Sequence, residues 1–384
     1  MKSSWFEFRF RLVLLSASSL LCAHSAFALS QPDPIMIDGG PLGPIQLSGG
    51  ADGYFYEQSG TSSSSGSSTL GSNENGVNLG SALIQLQKTT GVIQFNMEIA
   101  ATDGTPTLGE AIGKADVDSV GTSPLYVGTI TIAPTGMPFK LTAGEVDCVE
   151  GPESSFSWNN ANLFLSSLYS VENGPSRGVE VDYTHGPLTA TVIYGDGWDT
   201  GVFNFLQAAL DFQFNDNNEL DIYYGGNLGR TGLNTRTYTG TSVADFGPYF
   251  MNSQMFGAYY SYTHGNLNLL PEIQYVYAKV DHQIGIDNFT SNFGAALITD
   301  YNFENSPYSL GGMAEYFTSN GLGDWFIAPG AQGFGVEATP SWQYKHLFLR
   351  ASVGFLHLIT GGAYGNSGNG KNVVQTGLNG GIIF

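Results

Sequence analysis

Little in this chain could cross-link it or hold a polyanion. Its 384 residues include 2 cysteines, and 13 Lys and Arg stand against 33 Asp and Glu, a formal net charge of −20. Cys22 falls inside an N-terminal export signal, so the exported chain keeps Cys148 alone and no internal disulfide staples it. Scarcity of bases on an acidic chain excludes nucleic acid as a partner. Beyond the signal there is no run approaching the roughly 18 to 20 apolar residues that a spanning helix needs. Charged residues are only 12% of the chain while aromatics are 13%. Such a balance leaves apolar surface facing something other than water, and strands are then the remaining way to span a membrane.

What is present begins with address. Lys2, Arg9 and Arg11 precede an apolar run over 12–21 and the small-residue end Ala26-Phe27-Ala28, the pattern of a secretory signal cut after Ala28. A lipoprotein reading at Cys22 puts Leu21 where a small residue is wanted. Residues 29–43 have no usable period and read as a periplasmic lead-in, which leaves 44–384 as one β domain.

The clearest local order is SRGVEVDYTHGPLTATVIYGDG, 176–197. Val179, Val181 and Tyr183 alternate with Glu180, Asp182 and Thr184, and after His185-Gly186-Pro187 the apolar set is Leu188, Ala190, Val192 and Tyr194. A period of two puts one apolar and one polar set on opposite faces, and Gly-Pro supplies the reversal. Similar segments of about 9 to 15 residues fill the chain to its end, joined by connections that are alternately short and long. The expected fold is an all-β, transmembrane antiparallel β-barrel of about 16 strands, with short periplasmic turns and longer extracellular loops. Tyr194, Trp198, Tyr262, Tyr277, Trp342 and Tyr344 suit the two interfacial girdles of such a barrel.

Two kinds of loop are expected. The serine-rich stretch 59–76 and the segment 103–124 read as polar and solvated. The segment 150–175 differs: Phe156, Trp158, Leu163, Phe164, Leu165, Leu168 and Tyr169 are spaced partly as in a short helix, so it should pack against something, and the lumen is available. Phe156, Trp158, Phe164, Leu165 and Tyr169 are therefore the candidate constriction residues. Candidates for the pore lining are the polar-face charges Glu98, Lys140, Glu180, Asp182, Asp211, Asp221, Glu272, Glu315, Glu337 and Arg350. Their acidic excess predicts a lumen that favours cations.

No catalytic or cofactor chemistry emerges. The histidines beyond the signal, His185, His264, His282, His346 and His357, show no metal spacing and suit turns and rims. No serine stands out as a nucleophile paired with a His and a carboxylate. Gly365 to Lys371 matches the opening of a phosphate-binding loop, but Asn372 stands where Ser or Thr should hold Mg²⁺, and a strand follows rather than a helix. No enzyme, cofactor or metal is expected.

The stretch FKLTAGEVDCVEGPESSFSWNNANLFLSSLYSVENGPSRGVEVDYTHGPLTATVIYGDG, with GGNLGRTG and TPSWQYKHLFLRASVG, resembles the OmpL-like β-barrel porins of Gram-negative outer membranes. That resemblance implies a passive outer-membrane channel for small hydrophilic solutes or ions. It also implies lipid and lipopolysaccharide around the barrel, a possible homo-oligomer, and assembly by periplasmic chaperones and the barrel-assembly machinery, to which Ile382 and the terminal Phe384 would serve as the insertion signal. Two other readings stay open: a substrate-selective channel whose aromatic loop lines a track for sugar or peptide, and a non-conducting barrel acting as adhesin or envelope tether. A soluble all-β secreted protein is the alternative fold.

Overall fold

The computed structural model describes residues 29–60, 75–101, 105–112, 125–198, 200–232, 247–365 and 368–384. The expected signal segment 1–28 and most of the serine-rich loop lie outside them. A short strand, β1 (Ile35–Asp38), precedes sixteen long ones. These are β2 (Pro44–Gln58), β3 (Asn75–Lys88), β4 (Ile93–Ala101), β5 (Leu125–Ile132), β6 (Phe139–Val146), β7 (Ser176–His185), β8 (Leu188–Gly195) and β9 (Phe205–Asn215). They continue as β10 (Asn218–Asn227), β11 (Ser253–His264), β12 (Leu267–Ala278), β13 (Thr290–Asn302), β14 (Tyr308–Asn320), β15 (Gln332–Tyr344), β16 (Leu347–Thr360) and β17 (Asn372–Ile383).

Each long strand pairs antiparallel with its sequence neighbours, and β17 pairs with β2 from Gln375↔Gln58 to Ile383↔Gly50. The sheet is thus a closed barrel of sixteen strands. Closure pairs the backbone groups that an open edge would leave bare, which is what lets the outer face be apolar. No helix among the described residues is long and apolar enough to cross a membrane. The alternation sorts the two faces as expected in the 176–195 hairpin: Val179, Val181, Val192 and Tyr194 are exposed outside, while Glu180 and Asp182 are covered on the lumen side.

Aromatic pairs cluster outside near the short turns: Phe139 with Tyr183, ring centroids 4.9 Å apart, Phe212 with Phe214 at 4.8 Å, and Tyr301 with Phe303 at 5.2 Å. Trp198 does not join a girdle. Its ring meets Phe250, 5.4 Å away in the short helix α1 (Gly247–Met251), and its amide donates to Asn173 Oδ1 at 2.7 Å, which turns it toward the loops.

The structure corrects three loop readings. Residues 35–38, read as patternless, form β1 against 44–47 of β2, directly below the end of β17; four residues carry too little alternation to register as a strand, and the open edge of β2 recruits them. Segment 105–112, read as polar, is buried in the lumen through Leu108 and Ile112. In 150–175 the helical spacing yields only single 3-10 turns at Ser157–Asn159 and Tyr169–Val171. The core lies inside the barrel. Leu108, Leu163, Phe164, Val171, Trp325, Phe326 and Ile327 from inward loops pack there with Tyr54, Tyr223, Tyr259, Phe317, Leu356 and Val373 of the wall.

Candidate functional site

The site is the lumen wall together with the segment 147–175 that crosses it. That segment leaves β6 and returns to β7, and its tip hydrogen-bonds to strands on the far side of the barrel. The amides of Leu163 and Phe164 both donate to Glu337 Oε1 at 3.2 Å, and the amide of Ser167 donates to Glu315 Oε2 at 2.7 Å. Loop amides need acceptors when taken out of water, and these carboxylates supply them. Segment 105–112 is tied in alongside: Leu165 N donates to Pro106 O at 2.8 Å and Leu108 N to Leu165 O at 2.9 Å.

A second anchor is a polar node. Arg350 is 1% exposed; its Nε and Nη2 donate to Asn379 Oδ1 at 3.1 and 2.8 Å, and its Nη1 donates to Asn160 O at 3.0 Å. Asn379 Nδ2 donates to Asp52 Oδ2 at 2.6 Å, and that oxygen also accepts from Ser157 Oγ at 2.5 Å. A buried guanidinium thus joins β2, β16, β17 and the inward segment. Arg350→Ala should lower unfolding free energy by about 3–5 kcal/mol, as expected when one member of a buried charged network is deleted. Urea unfolding of the refolded barrel measures it. Arg350→Lys should recover little, because one ammonium cannot make the paired bonds to Asn379.

The wall is shaped for this packing. A Cβ on Gly311 would meet Ala161 O at 2.3 Å, and one on Gly377 would meet Leu163 Cδ2 at 2.3 Å. Bare backbone there lets the segment lie flat against the strands.

The expected pore-lining residues therefore divide. Glu315, Glu337 and Arg350 hold the inward segment, and Glu272 accepts from Tyr223 Oη at 2.6 Å while its neighbour Gln274 donates to Glu172 at 2.9 Å. Glu98, Glu180, Asp182, Asp211, Asp221 and Lys140 lie on the lumen face away from those anchors, Lys140 opposite Asp182 in the register and Glu98 bonded to Gln85 and Asn96. Of the expected constriction residues, Phe164 and Leu165 are buried at the segment's tip, while Phe156 stacks on Trp158 at 5.4 Å near the periplasmic mouth. Tyr169 Oη shares a hydrogen bond with Ser155 Oγ at 2.5 Å. Ile382 is exposed on the outer face, and the backbone of Phe384 pairs with Gly49 at 2.8 Å in both directions.

A cavity of about 260 Å³ remains between the segment and strands β2–β5, lined among others by Gln85, Glu98, Tyr126, Asp147, Glu153, Trp158 and Tyr169. Burial pushes Asp147, Glu150 and Glu153 up to about 7. Because the folded values lie above the ordinary 4.5 of Glu and 3.8 of Asp, the folded barrel keeps these protons where the unfolded chain has lost them. Their contribution to stability is whole below the ordinary values and is lost as pH rises through about 7.

Sequence reasoning missed two further inward pieces. Trp325, Phe326 and Ile327 enter the core from the loop after β14; the run Trp-Phe-Ile-Ala in an otherwise polar stretch was the available signal. Residues 29–31 reach the periplasmic mouth, where Leu29 packs with Phe156, Trp158, Phe348 and Ile383, and Ser30 exchanges bonds of 2.8 and 2.6 Å with the Gln343 side chain.

Solved structures share this architecture at low identity. Outer-membrane expressed OmpT of Vibrio cholerae superposes with a TM-score of 0.56 at 10% identity, over 91% of this chain and 100% of that one. OmpF of Salmonella typhi, in complex with daunomycin, gives 0.56 at 14%, over 91% and 100%. An anion-selective porin from Comamonas acidovorans gives 0.53 at 11%, over 88% and 98%. Such identities speak for the fold alone. Comparison with curated proteins gives no match. The family model described as "Putative beta-barrel porin-2, OmpL-like" matches residues 44–384, from the first residue of the closed barrel to the last of the chain. The chain belongs to that family of OmpL-like outer-membrane β-barrel porins.

Proposed function

We propose that this barrel is a water-filled channel for passive diffusion of small hydrophilic solutes across the outer membrane, narrowed by segment 147–175 and preferring cations. The observation that carries the preference is the lumen wall: Glu98, Glu180, Asp182, Asp211 and Asp221 face it away from the anchors, with Lys140 beside Asp182 and Arg350 committed to its node. A negative wall of low dielectric concentrates cations. Selectivity belongs to the wall rather than the fold, since the Comamonas acidovorans porin of similar architecture is anion-selective. The chain would be exported by a cleaved signal, 1–28, and inserted through recognition of Ile382 and Phe384. The Vibrio cholerae OmpT recorded in a trimer form supports a homo-oligomer here.

Planar-bilayer recording under a salt gradient tests this reading. Discrete conductances with a reversal potential of cation-selective sign are expected. Absence of current would overturn the channel, and an anion-selective sign would overturn the wall assignment. The cation preference should rise between pH about 6 and about 8, as the raised carboxyls of Asp147, Glu150 and Glu153 ionise near 7. A pH-independent ratio would remove those groups from the ion path.

A second reading, a substrate-selective channel, is favoured by the cavity, where Trp158, Tyr126 and Tyr169 offer aromatic faces beside Glu98 and Glu153. Current blocked saturably by one solute class would distinguish it from general diffusion.

A further inference from the structure

Asp211 on β9 and Asp221 on β10 stand directly opposite one another, both on the lumen face, and Glu219 is the next inward residue toward the short turn. One carboxylate oxygen from each lies within 4.8 Å of the others. All three are at least nine-tenths covered, at 9%, 5% and 8% exposure. Like charges directly opposed across a strand pair repel, and the nearest lumen-facing base in the register, Lys140, is three strands away beside Asp182.

Buried oxygens without a hydrogen-bond partner lie both in this cluster and on the strand beside it. Asp221 Oδ2 is buried without a hydrogen-bond partner. So is the hydroxyl of Ser261, which is 8% exposed, lies on the same face of β11 and pairs in the register with Glu219. Cross-strand neighbours on one face have Cβ atoms about 4.5–5.5 Å apart, so this hydroxyl borders the carboxylates. A fourth oxygen is thus available beside the three acidic ones.

We propose that Asp211, Glu219 and Asp221, with Ser261, form a binding site for a calcium-type divalent cation in the barrel wall. Every donor is a hard oxygen, and no His or Cys is among them, which selects calcium chemistry over zinc. Opposed oxygens around Ca²⁺ stand about 4.6–5.2 Å apart, twice the usual bond length, which accommodates the separation within the cluster. Lumen water can complete the shell. The cation would neutralise facing carboxylates and clamp β9, β10 and β11 together. This site rests on the barrel geometry and is independent of whether the pore conducts.

Isothermal titration of the refolded, detergent-solubilised full barrel with CaCl2, after chelator treatment and dialysis, tests it. One saturable Ca²⁺ per barrel is expected, with affinity at least tenfold weaker in Asp211→Asn and Asp221→Asn and unchanged in Asp300→Asn, a lumen carboxylate outside the cluster. Thermal melting gives a second readout: Ca²⁺ should raise the melting temperature of the wild type and of Asp300→Asn, but not of the two cluster variants. Heat-modifiable gel migration verifies that each variant is folded. Lack of saturable binding by the wild type overturns the site, as does binding that survives both substitutions; the wild-type result decides even where a variant does not refold.

Discussion

Glu315→Ala combined with Glu337→Ala should raise single-channel conductance severalfold. These two carboxylates take the amides of Leu163, Phe164 and Ser167, which sit in the lumen away from water. Each amide stranded by their loss costs about 1–3 kcal/mol, so the crossing segment should give up its seat on the far wall. Glu315→Gln with Glu337→Gln keeps an acceptor at both places and should change conductance far less. Bilayer recording of both double variants, alongside a gel-shift assay for the folded barrel, separates release of the segment from collapse of the fold. An Ala pair that folds and conducts like the wild type would mean that the narrowest part lies elsewhere.

Replacing Glu98, Glu180 and Asp182 together by lysine should reverse the ion preference. Glu98 on β4 and Glu180 with Asp182 on β7 face the lumen from the same side of the barrel, with β5 and β6 between them and Lys140 of β6 already opposite Asp182, so the change turns an acidic stretch of wall into a basic one. Reversal potentials in a KCl gradient should change sign. The shift should be larger in dilute salt, because screening lengths grow from about 10 Å at 0.1 M to about 30 Å at 0.01 M. A triple variant that stays cation-selective would place the selecting charges on the inward segment, at Asp147, Glu150 and Glu153.

The strands were readable because two different solvents write a period of two into the chain. In 176–195 the Val and Tyr side chains turn outward and Glu180, Asp182 and Thr191 turn inward, so register and facing follow from alternation, with Ile193 the exception, buried inside against Val146 and Val149. Alternation reports side but not neighbour. It marked Glu180 and Glu337 alike as lumen residues, although one lies on the wall and the other holds two loop amides. The glycines at 311 and 377 read as ordinary strand glycines, and only the seated loop reveals what their missing side chains make room for. Loops carry no period, so the inward turn of Leu108 and of Trp325 to Ile327 left at most a local apolar run, while Leu29 left none.

The seam between β2 and β17 has a consequence for how the molecule comes into being. Its partners, such as Gly50 and Ile383, sit at opposite ends of the domain, so closure is the contact of greatest sequence separation in the barrel. No smaller subset of strands from this chain can shut by the same pairing, and a chain halted before residue 372 would expose β2 and β16 as raw edges. Closure of the barrel therefore waits on β17, and β1, lying just beneath that seam on the same edge of β2, is placed to latch it from below.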